Sequence, residues 1–309
     1  MSLRFGYLLP TRELIVQERP ETGPMLAQAE AAEALGFDSI WVGDSITARP
    51  RHEPLALLTA VAARTRRVEI GTAVLLPALR NPVVLAHQLA TIDRISEGRL
   101  ILGVGAGSDV PGVRAEFAAC GVPFEARGSR MMEGLRLCRA LWSGAPVDWD
   151  GRWTLRGQQV APTPHRPGGP PIWLGGTAPQ HIGRVGRELD GWFPSALDSA
   201  QFAAQWPGVQ AAAAANGRAG QVTGAAYLTL SVDDDQAAAQ ARLMAFLRSY
   251  YGDRADLSTK LGPCYAGPVE GLVPWLRGFV AAGASHLVFR LIGAPERQLE
   301  QVAKARLSL

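Results

Sequence analysis

The chain has 309 residues, a net charge of +3 and a hydrophobic content of 47%, so it can bury a large core and has no strongly charged surface. Its basic residues are scattered, which argues against a nucleic-acid partner, and no stretch is apolar for long enough to span a bilayer. The first residues lack a secretory signal, and three widely spaced cysteines suggest neither disulfides nor a metal site. We therefore expect a cytoplasmic protein that binds neither membrane nor metal.

Short apolar runs typical of strands alternate with amphipathic stretches typical of helices. The predicted strands are 3–9, 39–42, 68–76, 99–104, 170–174, 191–194, 222–232 and 286–291. The predicted helices are 24–35, 54–64, 82–95, 129–142, 180–188, 200–216, 233–251, 269–282 and 296–306. This alternation favours a parallel sheet. Because eight successive units show no reversal, the pattern favours an α/β fold of the (β/α)8 TIM-type barrel class over a doubly wound open sheet.

Three irregular stretches interrupt this rhythm, at about 108–128, 143–169 and 252–267. In the second, Asp150-Gly151 lies between two tryptophans, which predicts a β-hairpin. No linker rich in Ser, Gly or Pro divides the chain. We therefore predict one domain over 1–309, with the three stretches as insertions at the C-terminal mouth of the barrel.

Barrel enzymes build their active sites from residues at the C-terminal ends of the strands. Gly105 and Gly107 follow the fourth predicted strand, and Gly175-Gly176-Thr177 follow the fifth, directly before a helix. Glycine lets the backbone approach a ligand closely, and N–H groups at a helix start suit phosphate. The alternative is that these are ordinary turn glycines.

Two charged residues near strand ends are further candidates. Asp44 follows the second strand, where a carboxylate either contacts a cofactor or caps the next loop. Arg290 lies in an otherwise apolar strand, where it either binds an anionic part of substrate or cofactor or forms a structural ion pair. Motifs of serine hydrolases, zinc proteases and P-loop nucleotidases are absent.

Four segments in order, 36–44, 71–77, 90–107 and 171–176, resemble the bacterial luciferase-like superfamily, which includes FMN-dependent monooxygenases and F420-dependent oxidoreductases. The resemblance implies a barrel that holds the ring of FMN or coenzyme F420 at the strand ends. It also implies a non-prolyl cis peptide in the third strand, and phosphate contacts after the fifth. The residues that it assigns to cofactor binding are Ala73, Val74, Gly105, Gly107, Ser108, Gly175, Gly176 and Thr177.

One position departs from this family. Many relatives place a histidine directly after the acidic residue that ends strand two, where this chain has Ser45. Serine has no pKa near neutrality, so it cannot act alone as a general acid or base. The candidate catalytic residues are therefore Asp44, Ser45 and His52, a histidine in the same loop that is alternatively a solvated surface group.

The resemblance implies an oxidoreductase. Our first hypothesis is a reduced-FMN-dependent monooxygenase that acts on a small organic substrate, and the alternative is an F420-dependent oxidoreductase that transfers hydride. A non-catalytic flavin-binding protein is the alternative from another class, because Ser45 replaces the family histidine. The same resemblance implies a homodimer, and a separate flavin or F420 reductase is the expected protein partner.

Overall fold

The computed structural model describes residues 3–252 and 261–309, and eight of its parallel strands close into a barrel. The barrel strands are β1 (Arg4–Leu8), β2 (Ser39–Val42), β3 (Glu69–Thr72), β4 (Leu100–Val104), β7 (Ile172–Leu174), β8 (Gly191–Trp192), β9 (Thr223–Val232) and β11 (His286–Leu291). The strands outside the barrel wall are β5 (Val147–Asp150), β6 (Thr154–Gln158) and β10 (Cys264–Gly267). Because β8 pairs with β9, β9 with β11 and β11 with β1, the sheet is closed. The predicted barrel is confirmed, and the open-sheet alternative is wrong.

Helices pack side by side around this barrel. The outer helices are α2 (Gly23–Ala34), α3 (Pro54–Arg64), α4 (Pro82–Ile95), α6 (Arg127–Leu141), α7 (Pro179–Glu188), α8 (Ser199–Ala214), α10 (Val269–Ala281) and α11 (Pro295–Arg306). The helices at the mouth are α1 (Glu13–Val16), α5 (Pro111–Ala119) and α9 (Gln236–Tyr251). Within the described ranges, none of the helices has the length and apolar character that crossing a membrane requires.

The end of the third strand differs from its prediction. β3 ends at Thr72 rather than at residue 76, and a single bridge joins Leu75 to Val104. Between Thr72 and Leu75, the peptide bond that joins Ala73 and Val74 is cis. The cis peptide that the family resemblance implied is therefore confirmed.

The predicted insertions have more structure than their irregular sequence indicated. The stretch 108–128 contains α5 and a 3-10 turn at Phe124–Ala126, so the expectation of an irregular segment was wrong there. The helix was missed because Pro111-Gly112 opens it, although proline is well tolerated in a first turn. In the stretch 143–169, β5 and β6 form the predicted antiparallel hairpin. The third stretch ends in β10, which pairs in parallel with β9. Residues 253–260 of this stretch lie outside the described part of the chain.

Helix α9 has an unexpected position. It packs against β9 and β10, and its last turn reaches the mouth of the barrel, where Tyr250 contacts Arg290 at the end of β11. The outer layer is completed instead by α10, which packs against α8 and α11. The predicted helix 233–251 is present as α9, but its last turn lies at the mouth of the barrel and not in the outer layer of helices.

Two tryptophans fill the barrel interior toward its N-terminal base, and strand glycines make room for their rings. Trp41 and Trp173 are buried there with ring centroids 5.3 Å apart. A Cβ atom on Gly71 would lie 2.4 Å from the Trp41 ring, and one on Gly191 would lie 2.3 Å from the Trp173 ring. The interior rings therefore require strand positions that have no side chain.

A short chain of hydrogen bonds joins the polar groups of this base. The indole Nε1 of Trp41 donates to Ser39 Oγ at 2.7 Å, and Ser39 Oγ lies 2.7 Å from His286 Nε2. Because the Ser39 oxygen accepts from the indole, its proton is available for His286. Burial, aided by Arg4, lowers the pKa of His286 to about 3, so this imidazole is neutral in the folded protein.

Candidate active site

A cavity of about 400 Å³ opens at the C-terminal mouth of the barrel, a volume in the range of small-molecule sites. Its wall is built by residues that follow β2, β3, β4, β7 and β8 and by the end of α9. Of the residues predicted from sequence, the wall contains Asp44, Ser45, Ala73, Val74, Gly105, Gly107, Ser108, Gly175 and Gly176. Within the described ranges, no group of three His, Cys, Asp or Glu side chains is placed to hold a metal ion.

One side of the cavity is formed by backbone and small apolar groups. A Cβ atom on Gly105 would lie 2.8 Å from Val74 Cγ2, so Val74 packs directly against that glycine. A Cβ atom on Gly175 would have no neighbour nearer than 3.5 Å, so it would make only ordinary contacts with the surrounding wall. The ends of β3, β4 and β7 thus meet around Val74 and leave their backbone open to a ligand.

The start of α7 borders the same side. The N–H groups of Gly176, Thr177 and Ala178 donate to no described residue, and Ala178 caps the helix without a side-chain hydrogen bond. Free N–H groups at a helix start are suited to an anion such as phosphate. The Thr177 side chain is exposed and lies outside the cavity wall, so only its backbone fits the predicted phosphate contact.

His181 is a cavity residue that the sequence reasoning missed. A Cβ atom on Gly176 would lie 2.2 Å from its Nδ1, which is buried and has no hydrogen-bond partner in the structure. Burial and the charge of Arg184 lower the pKa of His181. Its place in the first turn of the predicted phosphate-binding helix was a signal for it.

Asp44 is in the wall, but its carboxylate is already paired. Arg80 Nη1 donates to Asp44 Oδ2 at 2.6 Å, and the N–H of Leu76 donates to the same oxygen at 2.9 Å. The Asp44 side chain is 1% exposed and that of Arg80 is 16% exposed. The carboxylate therefore ties the end of strand two to the segment after strand three, as a loop-positioning residue would.

Ser45 is held by a second buried carboxylate, that of Glu116 in α5. The hydroxyl of Ser45 donates to Glu116 Oε1 at 2.9 Å, and the same oxygen accepts from the N–H groups of Thr47 and Ala48 at 2.8 and 3.2 Å. Ser45 Oγ in turn accepts from the N–H of Arg49 at 2.9 Å. The hydroxyl thus organises its loop, and the Glu116 contribution was not predictable from the sequence spacing.

His52 and Arg290 are not part of the cavity wall. The His52 ring lies 2.7 Å from the carbonyl oxygen of Pro20 and 3.3 Å from that of Thr11. Arg290 is 7% exposed and its Nε lies 3.4 Å from Glu13 Oε1, an ion pair without hydrogen-bond geometry. The catalytic role predicted for His52 is therefore corrected, because its ring is engaged outside the cavity wall, and of the two alternatives for Arg290 the structure fits the ion pair.

Another part of the cavity wall carries arginine and tyrosine side chains. Arg51 packs on Gly43, where a Cβ atom would lie 2.0 Å from its Nη1, and its Nη2 donates to the Tyr250 hydroxyl at 3.3 Å. Arg290 reaches the same hydroxyl from β11 at 3.0 Å. No sequence pattern indicated this arrangement, because residues 51, 250 and 290 meet only in the fold.

Comparisons with known proteins agree with this geometry. The chain is 36% identical over 200 residues to the F420-dependent glucose-6-phosphate dehydrogenase of Mycobacterium avium, a match that covers 62% of this chain and 56% of the relative. The chain thus spans little more than half the length of this curated relative.

Solved structures share the whole fold. The F420-dependent tetrahydromethanopterin reductase of Methanopyrus kandleri superposes with a TM-score of 0.81 at 20% identity and covers 100% of this chain and 99% of its own. The oxygenating constituent of 3,6-diketocamphane monooxygenase from Pseudomonas putida, solved with FMN, gives 0.77 at 17% identity and covers 98% and 97%.

The family profile described as luciferase-like monooxygenase matches residues 3–307, which is nearly the entire chain. The match includes the cis peptide segment, both glycine-bearing strand ends and the arginine and tyrosine side of the cavity. The chain therefore belongs to the luciferase-like monooxygenase family.

Proposed function

We propose that this protein is an F420-dependent oxidoreductase that transfers hydride between the deazaflavin and a small organic substrate. Our first hypothesis from sequence favoured FMN and oxygen, and the relatives reverse that preference. Curated relatives at 34–36% identity are named F420-dependent glucose-6-phosphate dehydrogenases, whereas the FMN-bound neighbour is only 17% identical and bears on the fold alone.

The observation that carries the proposal is the backbone wall beside the start of α7. Gly105 and Gly175 present their backbone at the cavity wall, and the N–H groups of residues 176–178 lack acceptors among the described residues. Such a wall fits one face of a planar ring and a phosphate group. The deazaflavin would supply the hydride chemistry when it is bound.

In this proposal the backbone and side-chain groups of the cavity wall have distinct roles. The segment Ala73–Val74 and Gly105 would support the ring, and the backbone of Gly176 and Thr177 would hold the phosphate. Asp44 would keep the segment after strand three in position through its contact with the N–H of Leu76. None of these groups moves a proton.

Binding of each cofactor to the purified full chain tests the proposal directly. We expect F420 to bind at least tenfold more tightly than FMN in equilibrium dialysis. Reduction of F420 without oxygen should then follow the addition of a hydroxyl compound, with glucose 6-phosphate as the first of a panel because of the relatives' names.

Three outcomes would contradict the proposal. Tighter binding of FMN, with oxygen uptake in the presence of reduced FMN, would restore the monooxygenase hypothesis. Tight F420 binding without turnover of any compound in a broad panel would favour a binding protein. Binding of neither cofactor would exclude both enzyme hypotheses.

A further inference from the structure

The hydroxyl of Tyr250 differs from those of Tyr7 and Tyr265 in the direction of its hydrogen bonds. It accepts from Arg290 Nη2 at 3.0 Å and from Arg51 Nη2 at 3.3 Å, and the residue lines the cavity. Tyr7 and Tyr265 instead donate their protons, to a glutamine oxygen and a carbonyl oxygen of the protein. A phenol oxygen has two acceptor positions and one proton. Two guanidinium N–H groups occupy both acceptor positions, and no residue in the described ranges accepts from Tyr250, so its proton is available to a group in the cavity.

The charges around Tyr250 favour its phenolate form. Among the described residues, the titratable groups that face it are Arg290 of β11, Arg51 of the loop after β2, Arg12, whose guanidinium lies 4.1 Å from the ring centroid, Glu13 of α1, Tyr227 of β9 and Tyr251 of α9. Burial alone would raise the pKa of Tyr250, but the charges of Arg290 and Arg51 outweigh burial and lower it to about 8. Three positively charged guanidinium groups and only one carboxylate thus surround this ring among the described residues.

Two candidate groups of the cavity wall are committed to other contacts. The Asp44 carboxylate pairs with Arg80, and the Ser45 hydroxyl donates to Glu116. His181 lies against Gly176, on the side of the cavity suited to phosphate. Asp44 and Ser45 are therefore not free to act as the acid or base for the substrate, and Tyr250 has the chemistry for it.

We propose that Tyr250 is the residue that exchanges a proton with the substrate, the task left open where Ser45 replaces the family histidine. This inference rests on the proposed function and narrows the substrate to a hydroxyl compound or the matching carbonyl compound. In the oxidative direction the substrate O–H bond breaks and a bond forms between that proton and Tyr250 Oη. The O–H electron pair becomes the second bond between oxygen and its carbon, and the hydrogen on that carbon would pass with its electron pair to the deazaflavin. The alcohol is thus oxidised by two electrons to the carbonyl compound, and the cofactor is reduced.

The first test is a titration of the full chain without any cofactor. Ultraviolet absorbance of tyrosinate should show one tyrosine ionising near pH 8, about two units below an ordinary tyrosine. Tyr250→Phe should remove this step. Tyr265→Phe is the matched control outside the cavity and should retain it. Arg51→Gln should move the step upward by about one unit, because one favourable charge is lost.

The second test is the pH dependence of turnover with F420 and an accepted hydroxyl compound. Below about pH 8 the base is protonated, so kcat/KM of the wild type should fall tenfold per pH unit. Tyr250→Phe should lower kcat by about 100-fold or more and abolish this limb while F420 still binds. Arg51→Gln should shift the limb in parallel with the titration, which a merely structural role of Tyr250 would not produce.

The outcomes separate this inference from the proposed function. Absence of a tyrosine that ionises near pH 8 would overturn the inference even if F420 turnover is found. Near-normal kcat and an unchanged pH profile in Tyr250→Phe would overturn it as well. If the wild type neither binds F420 nor oxidises any hydroxyl compound, the proposed function fails, and the inference fails with it.

Discussion

The two ends of this barrel use glycine in opposite ways. At the N-terminal base, a Cβ atom on Gly71 would lie 2.4 Å from the Trp41 ring, so the missing side chain makes room for a tryptophan. At the C-terminal mouth, a Cβ atom on Gly175 would lie 3.5 Å from its nearest neighbours, an ordinary contact distance, so this glycine instead presents its backbone at the cavity wall. A strand glycine is therefore a sign of close packing in one place and of a binding surface in another.

The two ends also handle buried polar groups differently. At the base, one neutral chain of hydrogen bonds links Trp41, Ser39 and His286. At the mouth, buried carboxylates meet guanidinium or backbone N–H groups, as in Asp44 with Arg80. We therefore expect charge to dominate stability at the mouth and shape to dominate it at the base.

The largest effect on stability is expected at the mouth, from Arg80→Met. This change leaves the Asp44 carboxylate, 1% exposed, without its charged partner, which costs about 3–5 kcal/mol in other proteins. Urea unfolding measures the loss. Glu53→Gln is the control, because Glu53 contacts the same guanidinium but is 53% exposed, and it should cost less than about 1 kcal/mol. Equal losses in the two variants would mean that burial of the pair does not matter.

The next effect is expected at the base, from Gly71→Ala. The added methyl group would overlap the Trp41 ring, which is 0% exposed and cannot move aside, so we expect a loss of about 3 kcal/mol in the free energy of unfolding. Thermal and urea unfolding both report it. A loss below about 0.5 kcal/mol would show that the tryptophan can shift and that the base is not closely packed.

A smaller, pH-dependent effect is expected from His286. The folded imidazole stays neutral down to about pH 3, whereas the unfolded one takes up a proton below its ordinary pKa of 6.5. Because the unfolded state then binds the extra proton, this residue should lower stability by about 1.4 kcal/mol for each pH unit below 6.5.

Urea unfolding at pH 7, 6 and 5 checks this slope. His286→Gln should make stability fall less steeply with decreasing pH, because its unfolded state takes up one proton fewer. Ser39→Ala deletes the hydrogen-bond partner but keeps the buried ring, so it should lower stability at every pH and leave the slope in place. An unchanged slope in His286→Gln would contradict the assignment.

The smallest effect on stability is expected from Gly175→Ala, the counterpart of Gly71→Ala at the mouth. Its Cβ would make only ordinary contacts, so the free energy of unfolding should change by less than about 0.5 kcal/mol. Affinity for F420 should nevertheless fall at least tenfold, because Gly175 lines the cavity and the methyl group would cover backbone that the proposed ring contacts. Gly23→Ala, with no atom within 4 Å of the new methyl group, is the control for binding. Unchanged affinity in Gly175→Ala would place the ring elsewhere.

Features that depend on local sequence could be predicted. The helix Pro82–Ile95 and the strand His286–Leu291 have the predicted bounds, because hydrophobic period and proline position are written in consecutive residues. The cis peptide at Ala73–Val74 followed from a short family motif. Short motifs of this kind also indicated the family and the residues whose backbone lines the cavity.

Features that depend on the meeting of distant residues could not be predicted. The Tyr250 hydroxyl contacts Arg51 and Arg290, which are 199 and 40 residues away along the chain. Glu116 reaches Ser45 across 71 residues, so neither side chain reveals the other. The apolar strand around Arg290 left an anion site and a structural ion pair as alternatives, because its partners lie on α1 and α9, far from it in the sequence.

The Glu116 carboxylate has a consequence for engineering of this protein. It joins α5, which follows strand four, to the loop after strand two, so the two segments form one rigid rim rather than two independent loops. Libraries that diversify only one segment would break these hydrogen bonds in most members. Changes in substrate range should therefore be sought by exchanging residues 45–49 and 111–119 together, as a single cassette.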